Sequence, residues 1–312
     1  MAAATFRDPL GLVGRLLRDP NPTARRALLR AGAAVAARPY DRWLRREERD
    51  LIEAVTPCDD HRMLLIVGAP RSGTTLVAQT LVHHLDVSFP SNLGAIFPSA
   101  PIAAQRRWPP PLRSSAAEPD RIARERRNFY GQTPGLHDHN DAFHIWDRWL
   151  GPNRYHATTT MAPGAVDDMQ RFFSAWHSTF GRPFVNKNNR NTTALAPLLD
   201  ALPGALGLIV TRDPDAVARS LRIARQVAQG NARRAWGLLA REASSDDDID
   251  LAIAEQLAAI DASLDQVRTK VSPERLVTID FDVFRRDPAA LTDLIADRLG
   301  IGRCPSPIAS FD

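Results

Sequence analysis

Apolar positions along this chain follow two different rules. In Met63-Leu-Leu-Ile-Val67, Ala205-Leu-Gly-Leu-Ile-Val-Thr211 and Arg275-Leu-Val-Thr-Ile279 they are largely consecutive, and Pro183-Phe-Val-Asn186 gives a shorter run of the same kind. Consecutive rather than alternating apolar residues are the signature of strands covered on both faces, as in parallel sheets. Between these runs the apolar spacing turns helical. It predicts helices over 74–85, 165–180, 192–201, onward from 214, behind the capping run Ser244-Ser-Asp-Asp-Asp-Ile249 to about 268, and over 288–299. Residues 10–55 read as helices broken near Pro20-Asn-Pro22 and at Pro39, with apolar positions at Leu28, Leu29, Val35, Trp43, Leu44, Leu51 and Ile52. Residues 90–117 are rich in proline and read as a loop, a lid or a wall for a substrate, followed by a helix across 118–129. The alternation predicts an α/β fold of three layers, a central mainly parallel sheet with helices on both faces and a helical N-terminal extension. The expected boundaries are 1–56 for the extension packed on the core, 57–302 for the main domain and 303–312 for a tail.

Composition narrows the class without naming a chemistry. With 312 residues, 44% hydrophobic and 24% charged, the chain suffices for one large domain with additions. The formal charge of +4 is concentrated at the start, where residues 1–50 hold eleven Arg against six acids. That segment reads first as a solvated face of helices packed on the domain, with peripheral membrane contact as its alternative and no nucleic-acid partner expected. Of the basic residues 38 are Arg, which makes the two lysines, Lys187 and Lys270, worth noting. Cys58 and Cys304 match no metal-ligand spacing and read as thiols in a reducing compartment. Arg7, Asp8, Arg15 and Arg18 interrupt any secretory signal, and no apolar run nears the roughly 20 residues of a membrane helix. A cytoplasmic protein is expected.

The chemistry begins where the first strand ends. Gly68-Ala-Pro-Arg-Ser-Gly-Thr-Thr75 runs from the strand into a helix, and unpaired N–H groups at a helix N-terminus suit an anion. The spacing from Gly68 to Gly73 and Thr75 matches a Walker A loop, but Thr74 stands where that motif has Lys, and the cation has moved to Arg71. This loop suits a shorter anion than a nucleoside triphosphate. A second element follows the strand 205–211: Arg212, then Asp213-Pro214 opening a helix, with Ser220 about two turns along. Lys187 also follows a strand end. In parallel sheets sites lie beyond the carboxyl ends of the strands, so all three pieces point to one edge.

Gly68–Thr75 and Arg212 to Ser220 together resemble the cofactor-binding elements of sulfotransferases that use 3′-phosphoadenosine-5′-phosphosulfate (PAPS). The resemblance extends over most of residues 57–301, including Tyr130–Leu150 and Arg182–Ala224. It implies a P-loop-like phosphosulfate-binding loop formed by Pro70, Arg71, Ser72, Gly73, Thr74 and Thr75, and a 3′-phosphate held by Arg212 and Ser220. It implies sulfuryl transfer to a hydroxyl of a small molecule, glycan or lipid, with release of PAP and no metal. Lys187 and Arg71 are then the cations for the charge developing at the leaving group.

The resemblance departs from the pattern at the general base. Many relatives carry a His two residues after the strand-end Lys; here that residue is Asn189, which takes no proton. Another branch carries a Glu ahead of a Trp-x-x-Trp segment, and counting back from Trp146 and Trp149 reaches Asp141. Asp141 is therefore the first candidate, His139 the second and His137 the third. Asn140 and Asp141 serve equally well as caps for a helix starting near Ala142. The glycine-rich adenine loop of cytosolic relatives is missing. An inactive, sulfotransferase-like binding or scaffold protein stands as the alternative function, with a P-loop kinase behind it.

Overall fold

The computed structural model describes residues 8–110, 129–303, 308, 310 and 311. The helix expected across 118–129 falls, all but its last residue, outside them, as does Cys304. Four strands, β1 (Met63–Gly68), β2 (Phe184–Lys187), β3 (Ala205–Thr211) and β4 (Leu276–Asp280), form one sheet in the order β2-β1-β3-β4, every pair parallel. Three helices precede it, α1 (Pro9–Arg18), α2 (Pro22–Ala36) and α3 (Arg38–Glu53). After β1 come α4 (Thr74–His84), α5 (Pro101–Arg107), α6 (Phe143–Leu150) and α7 (Ala165–Phe180). Then follow α8 (Leu195–Ala201), α9 (Pro214–Gln229), α10 (Ile249–Lys270), α11 (Phe281–Arg286) and α12 (Pro288–Leu299).

The consecutive apolar runs of β1, β2 and β3 have the expected cause, whereas β4, at the sheet edge, buries only Val277 and leaves Thr278 exposed. Met63, Leu65 and Val67 of β1, with Ala205 and Ile209 of β3, face a core built with α6, α7, α8 and α10. Leu64 and Ile66, with Leu206, Leu208 and Val210, face α4, α11 and α12 on the other side. Each side chain of β1 is buried on one face or the other, and each such burial contributes about 1.5–3 kcal/mol. Register then sets the working edge. Ile66 lies opposite Lys187 and Gly68 opposite Val210, so the ends of β2, β1 and β3 open side by side.

Three local expectations change. Within 90–110, the described part of the segment expected as a loop, Gly94–Ile96 form a 3-10 turn and α5 with the residues just before it packs on α3 through Leu44, Phe97, Ala100, Ala103 and Ala104. The helix expected over 192–201 is split into a 3-10 turn, Asn189–Thr192, and α8 from Leu195. A further helix, α11, follows β4 without a loop because the Asp280 carboxylate accepts the N–H of Asp282 and of Val283.

The α3–α5 contact contains a buried acid. Glu48 Oε2 accepts the Ala103 N–H at 2.8 Å, and Asp41 Oδ1 that of Ser99 at 3.0 Å. Burial pushes the Glu48 carboxyl up from 4.5 to about 7, against the opposing pull of the Ala103 N–H and Arg148. Because the folded-state value is the higher one, its stabilising contribution is full below 4.5 and is lost as pH rises to about 7. The stability difference between wild type and Glu48→Gln, which cancels the other titrating groups, should therefore fall by about 3 kcal/mol across that window. Denaturant melts of both proteins on either side of it are the check, and a pH-independent difference would contradict the assignment.

Candidate functional site

The loop leaving β1 is shaped by its glycines and gripped from behind. A Cβ on Gly68, whose φ is +151°, would lie 2.5 Å from the Val210 carbonyl oxygen. One on Gly73, whose φ is +96°, would lie 2.1 Å from the Phe281 ring. Only glycine lets the backbone pass this close to its neighbours before turning into α4. Asn189 Nδ2 donates to the carbonyls of Gly68 (2.7 Å) and Ala69 (3.1 Å). Thr192 Oγ1 donates to the Gly68 carbonyl at 3.0 Å and accepts the Gly68 N–H at 3.1 Å. The loop is thus tied to the segment after β2 by side chains more than a hundred residues away. Ser72 Oγ lies buried without a hydrogen-bond partner, as does Nε of Arg212. An anion in this cradle would satisfy both, and the α4 N-terminus adds its field.

Arg71, at the crest, adopts the left-handed backbone with φ of 76°. Its Nε donates to Ser220 Oγ at 2.9 Å, its guanidinium lies over the Tyr130 ring at 5.1 Å, and its carbonyl accepts from Arg212 at 3.3 Å. Burial lowers the guanidinium's proton affinity, with Arg212 adding to the effect, yet an arginine this perturbed remains a cation. Arg212 stacks over Phe281 at 4.9 Å. The strand-end arginine, the helix serine and the loop therefore form one contiguous site. A cavity beside them is lined by Ala69, Ser72, Thr211, Arg212, Pro214 and Asp261. Gly237 packs against Pro70, where a Cβ would come within 3.1 Å, and Trp236 meets Tyr130 edge-on, so the 231–243 segment roofs the loop.

The second half of the site is an ion pair. Lys187, at the end of β2 and only 3% exposed, donates to both oxygens of Asp141, at 3.0 and 2.9 Å. Burial pushes the Asp141 carboxyl up, and the Lys187 charge and hydrogen bond oppose the rise. Asn188 Nδ2 donates to the Asp141 carbonyl at 2.8 Å, and Asn186 Nδ2 to that of Asn140 at 3.1 Å. Asp141 caps no helix: α6 starts at Phe143 with no side-chain cap, and Ala142 before it is left-handed, φ 54°. A Cβ on Gly131 would lie 3.7 Å from Lys187 Nζ, 3.9 Å from Asp141 Oδ2 and 3.9 Å from Thr75 Oγ1. The ammonium, the carboxylate and the end of the phosphate-type loop therefore surround one small space.

His139 has a different place. It is buried, and its Nε2 accepts the backbone N–H of Lys187 at 3.1 Å, which ties its free lone pair to the scaffold. Burial, aided by Lys187, pushes the ring down to about 3, so it is neutral. His137 is half-buried on the preceding turn. Trp146 and Trp149, the pair from which Asp141 was counted, lie in the core and donate to Asn186 (2.7 Å) and Asp168 (2.6 Å). The tethers Asn186, Asn188, Asn189 and Thr192 were not anticipated. Their signal was the long polar run Asn186–Thr193 directly after a strand, almost all of it buried. Cys58, Asp60 and His61 bring ligand-type atoms within 4.8 Å of one another just before β1, at the opposite end of the strand from this site.

A sequence model of the Sulfotransferase family matches residues 64–303. In fold, the chain is similar to sulfotransferase STF9 from Mycobacterium avium, with a TM-score of 0.56 and 15% identity over 96% of this chain and 78% of that one. It is also similar to sulfotransferase STF1 from Mycobacterium tuberculosis H37Rv, with a TM-score of 0.52 and 13% identity over 93% of this chain and 81% of that one. Among curated proteins none matches the sequence. With a family match over residues 64–303, most of its length, the chain belongs to the sulfotransferase family.

Proposed function

We propose that the protein is a PAPS-dependent sulfotransferase that sulfates a hydroxyl on a small molecule, glycan or lipid and releases PAP. The observation that carries this reading is the single space bounded by Lys187, Asp141 and Thr75 beside an anion cradle. The fit to the cofactor rests on the unpartnered Ser72 Oγ and Arg212 Nε and on the room that Gly68 and Gly73 leave. The loop 70–75 would hold the 5′-phosphosulfate, and Arg212 with Ser220 the 3′-phosphate. When bound, PAPS supplies an activated sulfuryl group with a phosphate as leaving group. Asp141 accepts the proton of the acceptor hydroxyl, for which an ionised carboxylate with spare lone pairs is suited. Lys187 and Arg71 place positive charge where negative charge develops, with Tyr130 against the Arg71 guanidinium and Trp236 edge-on to Tyr130. His139 and Asn188 orient Lys187 and Asp141 and take no part in proton transfer. A cytoplasmic setting goes with this reading, in keeping with the free thiol of Cys58.

Calorimetric titration with PAP tests the cofactor half, with Mg·ATP and AMP as controls. The folded protein should bind PAP and not Mg·ATP. Arg212→Ala should weaken PAP by about ten- to a hundredfold, the worth of a hydrogen bond to a charged group. A folded protein that ignores PAP would remove the reading and favour a scaffold that has kept the fold.

A further inference from the structure

The N-terminal helices present a surface that water alone does not explain. Of the thirteen large apolar side chains exposed among the described residues, seven lie between residues 10 and 43: Leu10, Val13, Leu17, Leu29, Val35, Tyr40 and Trp43. On α1 the spacing of Leu10, Val13 and Leu17 puts all three on one face, while Leu12 and Leu16 are partly covered on the adjoining one. Half of an amphipathic helix's apolar arc is therefore left uncovered. The same helices carry eight exposed arginines, at positions 18, 25, 26, 38, 42, 45, 46 and 49, against two exposed acids, Asp50 and Glu53. The other acids of α1 to α3 are turned inward or already paired: Asp41 and Glu48 are buried, Asp8 binds Arg15, and Glu47 binds Arg107. At the far end Tyr40, Trp43 and Trp108 cluster, with Arg107 over the Trp43 ring at 4.7 Å.

We infer that α1 to α3 form an interfacial face that docks on an anionic lipid bilayer. Exposed leucines flanked by arginines, with tryptophan and tyrosine near them, match the apolar, headgroup and phosphate depths of such a surface. A second copy of the chain would bring like charge against like, which disfavours self-association through this face. No helix among the described residues is long and apolar enough to cross a membrane, and the contact inferred is that of amphipathic helices lying in the interface. The face is joined to the site. Arg30 of α2 donates to the carbonyls of Thr133 and Pro134 and to Gln132 Oε1, in the segment that continues from Tyr130 and Gly131. Arg15 of α1 donates to the carbonyls of Val227 and Ala228 at the end of α9.

Flotation of the full chain with phosphatidylglycerol-containing vesicles, and with pure phosphatidylcholine vesicles, tests the inference. The protein should float with the first and not the second, with binding falling steeply as salt rises. Replacing Arg18, Arg25 and Arg26 by Gln should weaken binding by on the order of a hundredfold. Leu10→Asp with Leu17→Asp should abolish it. All five positions are solvent-exposed, and unchanged melting and unchanged PAP titration would report that these variants fold. Failure to float at low salt would overturn the inference, as would flotation indifferent to both sets of substitutions. Equal affinity for short duplex DNA and for vesicles would also overturn it, assigning the face to polyanions in general. None of these outcomes depends on sulfuryl transfer, so the docking face and the proposed activity stand or fall separately.

Discussion

Lys187→Ala should lower kcat by about 10²- to 10³-fold while leaving PAP affinity within a small factor of wild type. The magnitude is that of removing one preorganised donor from a site where charge develops. The separation between kcat and PAP binding follows from the proposed site: the loop, Arg212 and Ser220 are the groups assigned to PAP, Arg71 of the loop meets Ser220, and Lys187 stands apart from them, paired with Asp141. Lys187 is almost fully buried, and removing it leaves the Asp141 carboxylate without its cation, a change that costs about 3–5 kcal/mol when a buried pair is broken. The single variant is therefore best read beside Lys187→Met with Asp141→Leu, which removes both charges. The single variant should keep that residual rate, the double variant should be slower still, and the double variant should be the better folded. A fully active Lys187→Ala protein would exclude the lysine from the chemistry.

Asp141→Asn should lower kcat by about 10²- to 10⁴-fold, the usual worth of a positioned general base. Its second readout is the pH profile. Burial holds the Asp141 carboxyl above its ordinary value, against the pull of Lys187, so with Asp141 as the proposed base the acid limb of wild-type kcat should lie above the pH of an ordinary carboxylate, kcat climbing with pH before levelling. The Asn variant should be slow and flat over the same range. A variant that keeps the acid limb would shift proton transfer to another group. His139 is poorly placed to be that group because the Lys187 N–H occupies its Nε2.

Much of the architecture could be read from the chain because its strands are covered on both faces. β1 and β3 announce themselves as unbroken apolar runs, and their ends fix where a site must lie. The turn from β1 into α4 was legible for a related reason: glycines at positions 68 and 73 admit no other side chain, so their presence after a strand is informative. Lys187 stood out through the rarity of lysine, and Asp141 through its spacing from Trp146. What stayed hidden depends on contacts between distant segments. Nothing local to Asn189 says that its amide will hold the Gly68 and Ala69 carbonyls. The tryptophans of α6 are bulky and apolar whether they line a pocket or fill a core, and here they fill the core. Helix α11 was missed because its cap, Asp280, is itself the last residue of a strand.

Three non-glycine residues in the left-handed region, Arg71, Tyr130 and Ala142, surround the site. Each such conformation costs about 1–3 kcal/mol, held in place by the surrounding packing. Glycine at any of them would relax the backbone, so routine thermostabilisation would be drawn to these positions. The gain would come at the expense of turnover, because Arg71→Gly removes the guanidinium that meets Ser220 and the Tyr130 ring, Tyr130→Gly removes that ring, and a freed backbone at position 142 loosens Asp141 against Lys187. Robustness and activity therefore compete at these three positions, and heat-resistant variants that stay fast are to be sought elsewhere in the fold.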